Sequence, residues 1–382
     1  MFSVKLGDIL DVQSGYAFKT EFFSNTAGIP LIRIRDLPNA RTETNYRGEF
    51  REDFIVYQGD YLIGMDGNFR CYRWQGPKAL LNQRVCRLRN FQPNVEPEFI
   101  YYGVQKKLHE IEDNTSFATV KHISARQIQN IKMPLPPIEE QSRIVEVLSR
   151  AEGIIRLRRE AHKKAAEIIP ALFLDMFGDP ARNPRGWPIF HLSDIAEIVS
   201  GVTKGRKFSG RRTTTAPYLR VANVQAGFFD LSEIKEIEVL PSDVKRLALQ
   251  HGDILLTEGG DYDKLGRGAL WNYDIPNCIH QNHIFRVRLK RSLALPEFFV
   301  TYLQTLHARN YFLQSAKRTT NLASINMTQL RGLPVVLPPL DAQSEFQKQF
   351  ERLNSVRTQQ DAAIKKAQDL FGALLAHLWA IG

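Results

Sequence analysis

The sequence predicts an α+β fold class, with two similar globular domains in tandem, each mainly β in its core and each followed by one long α-helix. A chain of 382 residues is too long for one ordinary core, so at least two domains are expected. Each half contains strand-like runs separated by turn residues, followed by a long stretch of apolar residues at helical spacing. The two halves also share sequence, which indicates one module present twice.

The repeat is clearest at two eight-residue segments that lie 202 positions apart. Leu135–Ser142 reads LPPIEEQS, and Leu337–Ser344 reads LPPLDAQS. Earlier matches, such as Ser14-Gly15 with Ser200-Gly201, have an offset of 186, so the second copy has gained residues. Insertions fall in surface loops, and the two copies therefore share a framework while their loops differ.

Each element of the module follows from local patterns. The predicted strands of the first copy are Pro30–Arg35, Tyr61–Met65 and Arg84–Leu88, and Tyr101–Ile111 is a predicted helix. The second copy repeats the strands, which are Pro217–Val224, Asp253–Thr257 and Ile284–Leu289. The predicted boundaries are a domain at 1–134, a helix at 135–178, a domain at 179–336 that opens with a linker at 179–188, and a helix at 337–382.

Both long helices begin after a Pro-Pro pair, which sets the backbone for a helix start. Apolar residues then recur at three- and four-residue steps, as in a coiled coil. We expect these two stripes to bury each other, which makes the helices a spacer. Pro170 and Gly372 occupy matched positions, and both predict a kink or fraying there. The predicted packing residues are Ile144, Leu148, Ile155, Leu172, Phe346, Phe350, Leu353, Leu370 and Leu374.

Composition limits the class of protein. The net charge of +10 and the pI near 9.4 favour a polyanionic partner such as nucleic acid. The three scattered cysteines form no disulfide framework and indicate a reducing compartment. No apolar run approaches the roughly 20 residues that span a membrane. We therefore expect a cytoplasmic protein.

Basic and amide side chains on predicted loops are the candidate nucleic-acid ligands, because Arg and Lys neutralise phosphates while Arg and Asn also pair with base edges. The candidates of the first copy are Lys19, Arg35, Asn68, Arg70, Arg73 and Lys121. Those of the second copy are Lys204, Arg206, Lys207, Arg211, Arg212, Asn223, Arg267, Lys317 and Arg318. The segment Lys204–Arg212 is the densest cluster, and a solvated charged loop is the alternative interpretation.

Catalytic patterns are absent from the sequence. It contains no phosphate-binding P-loop, no Gly-rich fingerprint for S-adenosylmethionine or a dinucleotide, and no Asp/Asn-Pro-Pro-aromatic run. Cys278, His280 and His283 form an incomplete zinc set, since no fourth ligand is evident. Asp243-Val244-Lys245 fits the loose Asp-x-Lys pattern of many nucleases, but so short a match arises by chance in a chain that is 24% charged. No catalytic residue and no metal ligand is therefore assigned.

These features resemble the specificity subunit of a type I restriction-modification enzyme. The resemblance is carried by the repeated Leu-Pro-Pro segments with their long helices, by Gly59–Ile63 and Gly252–Leu256, and by Met176–Pro180. It covers essentially the whole chain. It implies that each module is a target recognition domain for one half of a split DNA sequence, and that the two helices pack antiparallel as a coiled-coil spacer with pseudo-twofold symmetry.

The resemblance also implies partners. Two modification subunits that carry S-adenosylmethionine are expected to dock on the spacer, and restriction subunits that use ATP and Mg²⁺ are expected to join them. This chain itself is expected to bind none of these cofactors and to have no catalytic role. The alternatives are a DNA nuclease, a fragment of a fused restriction-modification enzyme, and a scaffold protein that binds DNA weakly.

Loops at equivalent positions of the two modules are the predicted reading surfaces. Segments 14–24, 64–75 and 115–122 are assigned to one half-site. Segments 200–214, 257–268 and 315–322 are assigned to the other. Because the loops of the two copies differ in sequence, the target is expected to be asymmetric, with equivalent faces on DNA about one helical turn apart.

Overall fold

The computed structural model describes residues 3–114, 121–260, 265–318 and 323–378. The chain forms two compact units. The first unit consists of Met1–Arg158 together with Ala363–Gly382, and the second is Arg159–Ala362. Contacts thus assign part of each long helix to each unit, and the predicted boundaries near residues 134, 178 and 336 stay predictions.

The first unit is built from short strands and four helices in its described part. The strands are β1 (Ser3–Lys5), β2 (Asp11–Ser14), β3 (Phe23–Ser24), β4 (Ile29–Ile32), β5 (Asn45–Tyr46), β6 (Ile55–Val56), β7 (Tyr61–Gly64), β8 (Cys71–Arg73), β9 (Ala79–Leu81), β10 (Val85–Arg89) and β11 (Lys132–Pro134). The helices are α1 (Leu6–Ile9), α2 (Pro97–Asn114), α3 (Ala125–Gln129) and α4 (Ile138–Ala166).

The second unit repeats this plan with larger loops. Its strands are β12 (Ile189–His191), β13 (Ala196–Ser200), β14 (Thr214–Leu219), β15 (Lys235–Val239), β16 (Asp253–Thr257), β17 (Gly259–Gly260), β18 (Gly268–Trp271), β19 (Ile279–His280), β20 (Ile284–Leu289), β21 (Lys317–Arg318), β22 (Ala323–Ser324) and β23 (Pro334–Val336). Its helices are α5 (Ile168–Phe177), α6 (Leu192–Ile195), α7 (Pro241–Leu247), α8 (Pro296–Tyr302), α9 (Leu306–Ser315), α10 (Met327–Arg331) and α11 (Leu340–Leu378).

The sheets of the two units correspond strand for strand. The first unit has an antiparallel sheet in the order β2-β10-β7-β8, and the second has β13-β20-β16-β18. A parallel pair also recurs, β4 with β9 and β14 with β19. The apolar alternation of these strands buries one face against helices, α2 in the first unit and α8 in the second. The predicted two-domain α+β layout is therefore confirmed.

A buried glutamine fixes the start of each long helix. Gln141 donates from Nε2 to the carbonyls of Asn94 (3.0 Å) and Pro136 (2.8 Å), and its Oε1 accepts from the backbone N–H of Glu96 (2.9 Å). Gln343 donates to the carbonyls of Leu293 (3.1 Å) and Pro338 (2.8 Å) and accepts from the N–H of Leu295 (2.9 Å). Both side chains are fully buried.

The helix residues pack in the core of the unit to which they belong. In the first unit, Leu148 is fully buried, and Ile144, Phe371 and Leu374 pack against the same cluster. Ile155 is also buried. In the second unit, Phe346 is fully buried, and its ring lies 5.7 Å from that of Phe173. Leu172, Phe350 and Leu353 are partly buried against that core.

Leu370 is the exception among the predicted packing residues. Its side chain is 62% exposed, and the neighbouring Phe371 packs against the core instead. A repeat of three and four residues drifts around a helix of 3.6 residues per turn, so over the 39 residues of α11 a stripe extended at fixed steps comes to lie one position away. The assignment of Leu370 is wrong for this reason.

The two predicted kinks have different outcomes. The first long helix is interrupted at Glu167, between α4 and α5, because Pro170 lacks an N–H and its ring clashes with the carbonyl of Ala166. The second helix runs without interruption through Gly372 to Leu378. Glycine costs about 1 kcal/mol in a helix and leaves its hydrogen bonds intact, so the kink predicted at Gly372 is wrong.

Candidate nucleic-acid interface

Matched glycines place the first candidate loop of each unit at the same point of the fold. Gly15 follows β2, and a Cβ there would lie 2.1 Å from the carbonyl oxygen of Asn82. Gly201 follows β13, and a Cβ there would lie 1.9 Å from the carbonyl oxygen of His280. Only glycine allows this approach of two backbones. The chain therefore leaves the central sheet in the same way in both units.

In the second unit this loop is strongly cationic. The segment Lys204–Arg212, called the basic loop below, contains five basic residues and no acidic one. Lys204, Lys207, Arg211 and Arg212 are exposed, and none of the four forms an ion pair within the described residues. Four cations with no neutralising partner leave this part of the surface positive.

Arg206 differs from its neighbours because it anchors the loop. Its Nη1 donates to Oδ2 of Asp243 at 2.9 Å, and its guanidinium lies 5.5 Å from the ring centre of Phe208. Asp243 belongs to α7 and also pairs with Arg246 at 3.4 Å. Arg206 is 41% exposed, so it retains a face toward solvent while it holds the loop against α7.

The sequence candidates omitted the basic residues of α7. Lys245 and Arg246 are exposed on the helix to which Arg206 is joined. The available signal was the position of this segment: α7 lies in residues that the second copy has gained relative to the first. Asp243, the acid of the Asp-x-Lys pattern, is only 7% exposed and is paired with two arginines, as a structural carboxylate would be.

The first unit has aromatic residues where the second has cations. The segment Tyr16–Phe23, called the aromatic loop below, contains one lysine and one glutamate, Lys19 and Glu21, which lie 3.9 Å apart. The ring of Phe18 is buried 4.7 Å from that of Tyr46. Tyr16 and Phe22 are 49% and 39% exposed. This loop therefore presents ring surface and little net charge.

The second candidate segment of the first unit is held by carboxylates. Arg70 donates to Oε2 of Glu112 at 3.2 Å, and Lys121 donates to the backbone carbonyl of the same residue at 2.6 Å. Arg73 is paired with Glu98 and lies over the ring of Tyr101. These three cations are half-buried, and their pairing gives each of them a role in the fold.

Three further candidates have different surroundings. Asn68 is exposed at the end of a turn that includes Gly67, whose φ is +78°. Arg35 is 57% exposed beside Asp36 and Glu43, at 3.8 Å and 3.6 Å. Arg267 is half-buried and donates to Oε1 of Gln225 at 3.1 Å. None of these contacts removes the residue from the list of candidate DNA ligands.

Asn223 is a structural residue, which corrects its assignment as a DNA ligand. Its side chain is 3% exposed. It accepts from the N–H of Arg220 at 2.8 Å and donates to the carbonyls of Asp230 and Glu233. Asp36 holds the equivalent turn of the first unit by accepting from the N–H of Arg33 at 2.8 Å. A buried side chain with all its hydrogen bonds made has none left for a base.

Part of the predicted reading surface lies outside the described residues. This applies to 115–120 of segment 115–122, to 261–264 of segment 257–268, and to 319–322 of segment 315–322. The side chains of Lys317 and Arg318 also lie outside the described part. The assignment of the remaining candidates to DNA stays a prediction.

The incomplete zinc set does not come together. His280 is fully buried, and its Nδ1 lies 3.0 Å from the carbonyl of Ile284. Burial, with the charge of Arg286, lowers the pKa of His280 to about 4. His283 is exposed and pairs with Glu258 at 2.6 Å, while burial raises the pKa of Cys278 to about 12. Across the described ranges, no group of three metal-ligating side chains occurs.

One further observation concerns the helices. Within the described residues, none is both long enough and apolar enough to cross a membrane.

Comparisons with known proteins agree with this layout. A family model described as the type I restriction modification DNA specificity domain matches residues 2–167 and 184–366, once in each half. The specificity subunit of the type I restriction enzyme EcoBI from Escherichia coli is 28% identical over 405 residues, which cover 98% of this chain and 84% of the relative. The EcoKI specificity subunit of Escherichia coli K12 is 23% identical over 387 residues, which cover 91% and 81%.

Solved structures share the fold. The S subunit of a type I restriction-modification system from M. genitalium aligns with a TM-score of 0.54 at 15% identity, covering 99% of this chain and 96% of that one. A chain from a structure that describes complex assembly and conformational transition of a type I system aligns with a TM-score of 0.58 at 17% identity, covering 98% and 96%. Since the family model spans most of both halves, the chain belongs to the type I restriction-modification DNA specificity family.

Proposed function

We propose that this chain is the DNA sequence-recognition subunit of a type I restriction-modification complex and reads a bipartite, asymmetric target. The observation that carries the proposal is the repeated framework with different loops. Gly15 and Gly201 start these loops at the same point of each unit, yet one loop is aromatic and the other basic. Equal frameworks with unequal loops suit two half-sites of different sequence. The family is one of recognition subunits, which have no catalytic role.

We also propose that the two long helices pack antiparallel as a coiled-coil spacer. Contacts inside each unit support this arrangement. Leu148, near the start of the first helix, shares a core with Phe371, near the end of the second. Phe173, near the end of the first, shares a core with Phe346, near the start of the second. Such pairing would relate the domains by a pseudo-twofold axis, with the half-sites about one turn of DNA apart.

The partners in this proposal are duplex DNA, two modification subunits and the restriction subunits. S-adenosylmethionine would bind to the modification subunits, and ATP with Mg²⁺ to the restriction subunits, all in the cytoplasm. The helices, which offer exposed apolar residues such as Ile154 and Leu157 (50% and 59% exposed), would receive the modification subunits. The net charge of +10 supports DNA as the polyanion.

An exchange of the first domain tests the reading of half-sites. Residues 1–134 are replaced by those of a relative, and the methylated motif is determined by methylome sequencing of the host with each form of the chain. We expect one half of the split motif to change while the other half stays. The reciprocal exchange of residues 179–336 is the matched control and should change only the other half.

Two results would contradict the proposal. If both halves of the motif changed together, the assignment of one half-site to each domain would be wrong. If the purified chain alone cleaved DNA in Mg²⁺, the nuclease alternative would replace it. None of the comparisons supports that alternative, and the paired Asp243 offers no site for it.

A further inference from the structure

The two loops that start at Gly15 and Gly201 are chemically opposite, and we propose that the units hold DNA by unequal means. The basic loop and α7 of the second unit bind the phosphate backbone and supply most of the salt-dependent affinity. The aromatic loop of the first unit supplies contacts that depend little on salt. This inference rests on the proposed function, since it concerns how that DNA is held.

The charges that would meet phosphate are free to do so. Lys204, Lys207, Arg211 and Arg212 are exposed and have no ion-pair partner among the described residues. The acidic groups nearest to them are already engaged. Asp243 is shared by Arg206 and Arg246, and Glu238 accepts from the hydroxyl of Thr213 at 2.5 Å. The four cations therefore lack internal neutralisation, and this favours an external anion.

The loop is also positioned, which distinguishes it from a freely solvated tail. The Arg206–Asp243 pair ties the middle of the loop to α7, and Phe208 packs under the Arg206 guanidinium. At the loop's end, Thr214 begins β14, which pairs with β15. A row of cations held between a helix and a strand can follow a backbone of regularly spaced phosphates at a lower entropic cost than a flexible segment.

The first unit offers no comparable charge at the same place. Lys19 is the one cation of the aromatic loop, and Glu21 lies beside it. Tyr16 instead exposes half of its ring, and its edge contacts with Phe18 and Phe54 hold that ring in place. A ring on a rigid platform contacts sugar and base surface, and this interaction releases no counterions, so salt does not weaken it.

Salt dependence of binding separates the two contributions. The full complex with its modification subunits is titrated with a duplex that carries the methylated motif, from 50 to 300 mM KCl in round steps of about 50 mM. We expect K204A/K207A/R211A/R212A to lower the slope of log K against log salt by about 2 to 4, since each phosphate contact contributes about 0.9. Discrimination against a motif altered in either half should stay within about twofold, because phosphate contacts carry no sequence information.

Two control variants make the result specific. K5A/K106A/R126A/K132A removes the same charge from exposed positions of the first unit and should change the slope by less than about 1. K204R/K207R/R211K/R212K keeps the charge and should keep the slope. Equal slope changes in both alanine variants would overturn the inference, because net charge alone would explain them.

The first unit is tested by Tyr16→Ala in the same titration. We expect affinity to fall by about three- to tenfold at every salt concentration, with an unchanged slope. A change in slope, or no loss of affinity, would overturn the division. The proposed function fails in a different way, since the unmodified complex would then bind the motif no better than a random duplex.

Discussion

Gln141 and Gln343, 202 residues apart, make the same three hydrogen bonds in their respective units. Each side chain joins the first turn of a long helix to the segment that leads into the helix packed beneath the sheet. The matched geometry explains why glutamine stands at the seventh position of both Leu-Pro-Pro segments. It also makes the junction between each domain and its helix a point that can be tested.

Gln141→Leu and Gln343→Leu should each destabilise their own unit by about 2–4 kcal/mol. Leucine fills a similar volume but leaves two carbonyls and one N–H buried without partners, and such groups cost about 1–3 kcal/mol each before relaxation. Urea unfolding measures the effect. Gln359→Leu, at an exposed position of α11, is the control and should stay within about 0.5 kcal/mol. Equal losses at positions 141 and 359 would contradict the role of these bonds.

Gly15→Ala and Gly201→Ala should each disturb one loop only. The new Cβ would overlap a backbone carbonyl oxygen, so the strand or the loop must move, at a cost of about 1–3 kcal/mol. We expect Gly15→Ala to weaken recognition of one half of the motif and Gly201→Ala that of the other, measured with duplexes altered in one half. Gly153→Ala is the control, because a Cβ there meets no atom within 4 Å. It should leave recognition unchanged.

Phe346→Ala should cost about 3–5 kcal/mol in the second unit. Its ring is fully buried among those of Phe173, Phe177 and Phe350, and its removal leaves a cavity. Leu370→Ala, on the same helix, should change the stability by less than about 0.5 kcal/mol because that side chain is 62% exposed. Thermal and urea unfolding compare the two. A large loss at Leu370 would show that it is packed after all.

Arg206 and Asp243 should be energetically coupled. A double-mutant cycle with Arg206→Ala and Asp243→Asn should give a coupling of about 0.5–1 kcal/mol, since one partner is buried and the other is 41% exposed. The same cycle for Lys19 and Glu21, which are 74% and 64% exposed, should give a value near zero. Additive effects at Arg206 and Asp243 would show that the pair does not position the basic loop.

The stability of the second unit should fall with acid partly because of His280. Burial, and next the charge of Arg286, hold the folded pKa near 4, below its usual value of 6.5. The unfolded chain therefore binds a proton that the folded chain refuses as the pH falls through this window. The contribution is complete above pH 6.5 and is lost toward pH 4, by up to about 3 kcal/mol.

The variant His280→Asn isolates this contribution. Asparagine can still donate to the carbonyl of Ile284 but does not titrate in this range. Urea midpoints at pH 4.5, 5.5 and 7.0 should therefore depend less on pH in the variant than in the unmodified protein. Equal pH dependence in the two proteins would mean that His280 is accessible to protons in the folded state.

The regular elements could be predicted because their signals are local. Alternation and turn residues gave Asp253–Thr257 and Ile284–Leu289 with the bounds that the structure has. The Pro-Pro pairs placed both helix starts within three residues, at Ile138 and Leu340. The repeat then supplied the architecture, since two similar sequences must fold into similar units.

The fate of individual loop residues could not be predicted, since it depends on partners distant in sequence. Asn223 looks like an exposed amide until the chain folds back to bring the carbonyls of Asp230 and Glu233 to it. Arg206 is one of five similar cations, and only Asp243, 37 residues away, makes it different. Composition identifies such a surface but does not distinguish the ligand from the residue that holds it.

Both junction glutamines bond to main-chain atoms alone, which every amino acid except proline supplies in full. Mutations elsewhere in a domain can therefore rewrite its exposed surface without touching this joint, as long as the backbone path is kept. Whole heads could be traded between related genes at the same seam. Novelty in what is read would then cost the lineage nothing in how the reader is assembled.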